Sequence, residues 1–86
     1  MYRVYMLVNG DGRRYIGLSE DVAKRLADHN SGISKWTAKH GPWTLHWISR
    51  EFSLGDARRL ESKMKRQKGG AGLMTLMSEF GETSGS

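Results

Sequence analysis

The sequence contains no cysteine, one proline and no long apolar run. Without cysteine there can be no disulfide, thiolate metal site or cysteine nucleophile, and a small domain without cross-links fits a cytoplasmic location, which we expect. The longest early apolar run, Val4 to Val8, is too short for a signal-peptide core or a membrane span. A length of 86 residues fits one domain. We predict that residues 1–80 form it and that the Gly/Ser-rich residues 81–86 form a disordered tail.

Acidic residues are also scarce relative to basic ones. The chain carries 14 lysines and arginines against 9 aspartates and glutamates, for a formal net charge of +5. A small basic domain is suited to binding polyanions, because each neutralised phosphate releases condensed counterions. A soluble protein with surplus surface lysine is the alternative explanation. Several enzyme classes lack their motifs here: the chain has no glycine-rich phosphate loop, no His-Glu-x-x-His and no nucleophile elbow.

The N-terminal segment predicts a β-hairpin. Two short apolar segments, about Tyr2–Val8 and Arg14–Leu18, flank the turn-forming residues 9–12. A three-residue loop would place Tyr5 opposite Gly17 and bring Tyr15 onto the same face, whereas a two- or four-residue loop would separate the tyrosines. In the first register, Gly17 leaves room beside the Tyr5 phenol, which we interpret as space for a water molecule and a phosphate.

A first helix is predicted to follow the hairpin. Ser19 is a suitable N-cap, and residues 30–32 supply a stop signal. The apolar stripe of this helix would consist of small and aliphatic residues, with Arg25 and His29 together on another face. The stripe comprises Val22, Ala23, Leu26 and Ala27.

The second half of the chain predicts a third strand and two helices. The strand runs from Trp43 to about Phe52, with Leu45, Trp47 and Ser49 on one face. Ser53 is predicted to cap a second helix, in which Glu61 is the only carboxylate at the helical spacing of the apolar stripe. A short third helix over residues 73–80 would seal the core. The predicted order β-β-α-β-α-α indicates an α+β fold.

The chain resembles the GIY-YIG nuclease superfamily, and most closely its small single-domain members. The resemblance rests on five ordered motifs over about residues 2–77 and implies a three-stranded antiparallel sheet flanked by helices. The motifs are Val4-Tyr5, Tyr15-Ile16-Gly17, Arg25 with His29 on the first helix, Lys35-Trp36-Thr37, and Glu61 on the second helix.

The resemblance also implies an activity: hydrolysis of nucleic-acid phosphodiesters with one divalent ion, Mg²⁺ or Mn²⁺. Glu61 would be the sole protein ligand of the metal, as suits a hard ion that keeps several waters. Tyr5 would be the general base, its pKa lowered by the nearby cations Arg25 and His29. Arg25 would also neutralise charge on the transition state. Tyr15 would orient water or phosphate, or help His29 to relay the proton.

Nucleic-acid contacts are predicted at Gly17, Lys35 and Lys63, and also at Lys39 and Arg66. DNA is the expected partner, branched and single-stranded forms included, and RNA is not excluded. Two positions depart from the family pattern: Arg3 stands where the first motif has glycine, and Trp36 stands where tyrosine is common. A catalytically silent nucleic-acid-binding module, or an accessory domain that needs a partner, is the alternative interpretation.

Overall fold

The protein, described by a computed structural model over residues 1–31, 39–67 and 70–82, is built around a three-stranded antiparallel sheet. The strand order is β2-β1-β3, so β1 is central, as its two apolar faces predict. Helices flank the sheet, which confirms the predicted α+β fold. The elements are β1 (Arg3–Asn9), β2 (Arg14–Ser19), α1 (Val22–Ser31), β3 (Trp43–Ile48), α2 (Leu54–Arg66) and α3 (Ala71–Phe80).

The hairpin loop has three residues, and the predicted register is confirmed. The Asn9 amide donates to the Arg13 carbonyl at 3.2 Å, while the Asn9 side-chain oxygen accepts from the amides of Asp11 and Arg13. Gly12 has φ +81°, the left-handed conformation with which such a loop returns the chain to the second strand. As a result Tyr5 faces Gly17, and Leu7 faces Tyr15.

The two faces of β1 belong to two separate hydrophobic clusters. On one face, Val4 and Met6 pack with α2 and α3; on the other, Tyr5 and Leu7 pack with α1 and Trp43. The helices that carry Arg25 and Glu61 therefore lie on opposite faces of the sheet. Within the described ranges, no helix is both long and apolar enough to cross a bilayer.

The predicted face pattern of β3 is wrong. The register shifts where Met6 pairs with Trp47 and Leu7 with Leu45, so His46 is an extra residue in β3. One extra residue reverses the side to which all later side chains point. Trp43 therefore packs in the tyrosine cluster, and Trp47 packs on the other face.

The third strand is also shorter than predicted. It ends at Ile48, and Phe52 forms only an isolated bridge with Tyr2. Ser49 interrupts the pattern because its side chain is buried and bonds to main chain. Its hydroxyl accepts from the Val4 amide at 2.8 Å and donates to the Arg50 carbonyl at 2.7 Å.

Two details of α1 differ from the prediction. Asp21, not Ser19, is the N-cap, since its carboxylate accepts from the Lys24 amide at 3.0 Å. The Ser19 hydroxyl instead accepts from the amide of Asp21, two residues further along the chain. The buried face contains Val22 and His29, whereas Ala23 and Ala27 are exposed. Small alanine side chains do not determine which face is buried, and the sheet selects the face that carries His29.

The C-terminal helices seal the other face of the sheet. The Ser53 cap is confirmed, and Ala57, Leu60 and Met64 of α2 are buried. Leu73 of α3 is buried too, but Met74, which was expected in the core, is 71% exposed.

The packed chain extends two residues beyond the predicted boundary at residue 80. Gly81 bridges to Ser49, and the Glu82 amide donates to the Ile48 carbonyl at 3.0 Å. Residues 83–86 lie outside the described ranges, so the disordered tail over residues 81–86 stays a prediction.

Candidate active site

A buried hydrogen bond between Tyr5 and His29 lies at the centre of the site. The Tyr5 hydroxyl and His29 Nε2 are 3.0 Å apart. Tyr5 is 1% exposed and His29 is fully buried. Histidine near a helix C-terminus often only compensates the helix dipole, but the burial of His29 against Tyr5 makes it part of the cluster.

Tyr15 completes an aromatic wall around this pair. Its ring meets the His29 ring edge-on, with centroids 4.6 Å apart, and lies 6.3 Å from the Tyr5 ring. Since Tyr5 and Tyr15 stand at diagonal positions of the hairpin, the turn at residues 10–12 is what places them together.

Gly17 allows the Tyr5 ring to lie flat across β2. A Cβ atom at this position would come within 2.7 Å of the Tyr5 hydroxyl oxygen, 2.8 Å of its Cζ and 3.1 Å of Tyr15 Cε1. The space over Gly17 is thus filled by the phenol itself, not by a water and a phosphate as predicted. Gly17 therefore contributes by positioning Tyr5, and its contact with nucleic acid stays a prediction.

Arg25 reaches the same phenol from α1. Its interaction with the Tyr5 hydroxyl raises the pKa of Arg25 and opposes the larger effect of burial, which raises the pKa of Tyr5. Asp28, which the sequence analysis did not single out, holds the guanidinium at 3.7 Å. Its signal was the spacing of three residues from Arg25, which puts both side chains on one helical face.

The direction of the pKa shift of Tyr5 differs from the expectation, and so does the charge state that His29 favours. Burial raises the pKa of the Tyr5 phenol, and the opposing effect of Arg25 does not cancel it. Burial and the nearby Arg25 charge lower the pKa of His29. The predicted lowering of the Tyr5 pKa by these two cations is therefore wrong: in the protein alone, burial outweighs Arg25, and His29 favours its neutral form. Both shifts favour a neutral phenol beside a neutral imidazole.

Glu61 lies on α2, which packs on the face of the sheet opposite the tyrosine cluster. Its negative charge nevertheless contributes to the raised pKa of Tyr5, so the two groups interact electrostatically. The Glu61 side chain is 21% exposed, and its carboxylate pairs with Lys65 at 3.4 Å.

The surroundings of Glu61 fit a hard cation bound mainly by water and substrate. Among the described residues, no group of three or more histidines, aspartates or glutamates is arranged to hold a metal ion. A single carboxylate that is open to solvent beside the cluster suits Mg²⁺, which keeps several waters and takes the remaining ligands from phosphate. Glu61 could therefore be the one protein ligand of such an ion, which stays a prediction.

The remaining predicted residues do not join the cluster. Lys63 is exposed and lies about 200° around α2 from Glu61. It lines a cavity together with Phe52 and Phe80, and Glu61 is not part of that lining. Lys35 and Trp36 lie outside the described residues. Lys39 and Arg66 are exposed, and their contacts with phosphate stay predictions.

Arg3 has a structural environment. Its guanidinium donates to the Ser49 carbonyl and to Glu82, both at 3.0 Å, and lies 3.6 Å from Glu51. Arg3 thus links the start of β1 to the segments that follow β3 and α3, although it stands where the first motif has glycine. This departure from the pattern leaves the Tyr5 cluster intact.

This sheet with its tyrosine, histidine and arginine cluster defines a GIY-YIG domain, and comparisons agree. Residues 1–73 match the family model described as the GIY-YIG catalytic domain. A UPF0213 protein of Halobacterium salinarum is 36% identical over 77% of this chain and 87% of its own length. A protein of Invertebrate iridescent virus 6, named for a GIY-YIG domain, is 35% identical over 77% of this chain and 69% of its own length.

Longer relatives also match. A UPF0213 protein of Aeromonas hydrophila is 38% identical over 74% of this chain, which spans about half (48%) of that relative's length. No solved structure matches significantly. The chain belongs to the GIY-YIG family. This domain is typical of endonucleases and indicates a nuclease-type function with a nucleic-acid substrate.

Proposed function

We propose that this protein is a divalent-metal-dependent endonuclease that hydrolyses DNA phosphodiester bonds. The observation that carries the proposal is the buried hydrogen bond of 3.0 Å between the Tyr5 hydroxyl and His29 Nε2, with Arg25 interacting electrostatically with the same phenol. A phenol that only fills a core does not need a buried imidazole at its oxygen and the charge of a guanidinium acting on it. The arrangement instead suits a group that exchanges protons beside an anion.

Tyr5 acts as the general base through His29. A phenol whose pKa is raised cannot be ionised in advance at neutral pH. His29 is neutral because its pKa is lowered, so Nε2 can accept the phenolic proton as Tyr5 takes one from the attacking water. The Tyr5 oxygen therefore never needs to carry a full negative charge, and Tyr15 holds the imidazole in place edge-on.

Arg25 binds the phosphate that is attacked. Its guanidinium is permanently protonated and interacts electrostatically with the Tyr5 hydroxyl, so it would stabilise negative charge on the phosphoryl oxygens of a substrate bound beside Tyr5. Asp28 keeps the guanidinium in position. Glu61 would hold one Mg²⁺ or Mn²⁺ ion, which when bound supplies positive charge to the phosphate and its leaving oxygen.

DNA is the proposed substrate, and the net charge of +5 supports a polyanionic partner. With one small domain, recognition rests on backbone and DNA structure more than on base edges. The absence of cysteine from the sequence supports a cytoplasmic location, which is part of the proposal.

Cleavage of plasmid and branched DNA with Mg²⁺ or Mn²⁺ tests the proposal. We expect Tyr5→Phe and Glu61→Gln each to lower the rate by about 10²-fold or more, the range of a lost acid–base group or metal ligand. Tyr2→Phe and Glu79→Gln are matched controls, since Tyr2 interacts with Glu20 and Glu79 is exposed on α3. Both controls should cleave at the wild-type rate.

Two outcomes would contradict the proposal. Cleavage that survives both Tyr5→Phe and Glu61→Gln would show that the site is elsewhere. Salt-sensitive DNA binding without cleavage under either metal would identify a silent binding module of the same fold.

A further inference from the structure

A groove lies beside the candidate active site, and of the residues that line it only Tyr15 has a part in the chemistry proposed above. It has a volume of about 550 Å³, within the roughly 300–1,000 Å³ of ligand-binding clefts. It runs between the start of β2 and the end of α2, with Tyr15 at the side of the catalytic cluster. Its walls include Arg14, Tyr15, Ile16, Met64, Lys65 and Leu73.

The groove carries only positive charge. Arg14 and Lys65 are the ionisable cations in its wall, and in the described part of the chain no carboxylate lines it. Arg14 is exposed and forms no ion pair with any described residue. A planar guanidinium without a counter-ion and an ammonium on the opposite wall together suit an anion such as a phosphate.

Lys65 connects this groove to the candidate metal ligand. Its ammonium lies 3.4 Å from the Glu61 carboxylate, and its side chain is 55% exposed. Exposed pairs of this kind contribute only about 0–1 kcal/mol, so a phosphate can compete for the ammonium. A cation bound at Glu61 would release Lys65 toward the groove. Four residues separate the two along α2, or about 6 Å of helix axis.

We propose that Arg14 and Lys65 form a subsite for the phosphate next to the one that is cleaved. The nucleic-acid strand then passes from the Tyr5 cluster over the Tyr15 edge of β2 into this groove. The ring of Tyr15 and the apolar side chains of Ile16 and Leu73 offer surfaces for the attached sugar or base. This assignment rests on the proposed function. It makes Lys65, in place of Lys63, the lysine of α2 that contacts a phosphate.

Salt-dependent binding of a fluorescein-labelled oligonucleotide tests the subsite. The probes are a short single-stranded DNA, the RNA of the same sequence, and the DNA duplex, all in EDTA so that no cleavage occurs. We expect Arg14→Gln and Lys65→Gln each to reduce the slope of log K against log salt by about 0.7 on single strands. The probes for which these substitutions reduce the salt slope identify the polymer that the groove binds.

Two further variants make the test specific. Arg59→Gln is the matched control, because Arg59 pairs with Asp56 on the exposed side of the same helix and should keep the wild-type slope. Glu61→Gln removes the competitor of Lys65, so we expect tighter probe binding, and Lys65→Gln in that background should abolish the gain.

The outcomes separate the subsite from the proposed function. Salt-sensitive binding by the wild type with unchanged slopes in Arg14→Gln and Lys65→Gln would overturn the subsite and leave the nuclease proposal standing. Wild-type protein that binds none of the probes in a salt-sensitive way would overturn both.

Discussion

The Tyr5 phenol and the His29 imidazole meet at 3.0 Å in the interior, although 24 residues separate them in the chain. Neither group is exposed to solvent to a meaningful extent. Each is therefore a buried polar partner of the other, and removal of either leaves an atom that has lost this contact. The hydrogen bond between Tyr5 and His29 should therefore contribute to the stability of the fold as well as to the chemistry of the site.

The pair should be coupled in stability. We expect Tyr5→Phe to lower the free energy of unfolding by about 1–3 kcal/mol, since the buried His29 loses its hydroxyl partner. His29→Gln should cost a similar amount, and the double variant should cost less than the sum of the two. Urea unfolding of all four proteins measures this coupling. Strictly additive effects would contradict a direct hydrogen bond in solution.

Stability should depend on the protonation of His29. Because the pKa of His29 is lowered in the folded protein, the unfolded chain binds this proton more readily. The contribution of His29 is thus fully present above the ordinary pKa of about 6.5 and is lost as the pH falls through the folded-state value. For one group the slope is at most about 1.4 kcal/mol per pH unit.

Urea unfolding as a function of pH checks this dependence against two variants. In His29→Gln the free energy of unfolding should fall less steeply below a pH of about 6.5 than in the wild type, because the contribution of His29 is removed. His46→Gln, at an exposed position of β3, should retain the wild-type slope. Identical slopes in wild type and His29→Gln would show that the His29 pKa is not lowered.

Gly17→Ala should disturb the site through Tyr5. The new methyl group would lie 2.7 Å from the Tyr5 hydroxyl oxygen, so the ring must leave the position in which it bonds to His29. We expect a loss of about 1–3 kcal/mol in the free energy of unfolding, as for overpacked cores, together with a large loss of cleavage. Gly10→Ala is the control in the same hairpin, because nothing lies within 4 Å of its new methyl group. Equal effects of the two substitutions would refute the steric role of Gly17.

Arg3 should matter for stability and not for cleavage. Arg3→Met removes the hydrogen bond to the Ser49 carbonyl and the ion pair with Glu82, which together should cost about 1–2 kcal/mol of unfolding free energy. Arg13→Met, at an exposed turn position, should be nearly neutral. Thermal unfolding and the cleavage rate per folded molecule measure the two effects. If the fully folded Arg3→Met variant cleaves more slowly per molecule than the wild type, Arg3 belongs to the active site.

Local sequence signals predicted the hairpin and the order of elements. Asn9 and Gly12 specify the loop through contacts within five residues, so the register of Tyr5 opposite Gly17 followed from neighbouring chain alone. The Ser53 cap of α2 is equally local. The strand–strand–helix order with a central, doubly covered β1 followed from the apolar pattern.

Contacts between distant segments decided what the sequence did not show. The extra residue at His46 changes the face of Trp47 without any glycine or proline to signal it. The buried face of α1 includes His29 in place of the alanines, because a partner on β1 satisfies the imidazole. Likewise, the groove near Tyr15 depends on how α2 lies along β2, whereas the Lys65–Glu61 pair follows from helical spacing alone.

The sequence by itself determined the tyrosine pair, since turn chemistry and the two-residue period of a strand fix which side chains share a face. It also determined which residue types are present for phosphodiester chemistry. Only the tertiary structure decided their relationships: α1 buries His29 against Tyr5 on one face of the sheet, and α2 carries Glu61 on the other. The reason is that burial, which raises the pKa of Tyr5 and lowers that of His29, arises from packing between segments and has no signature in local sequence.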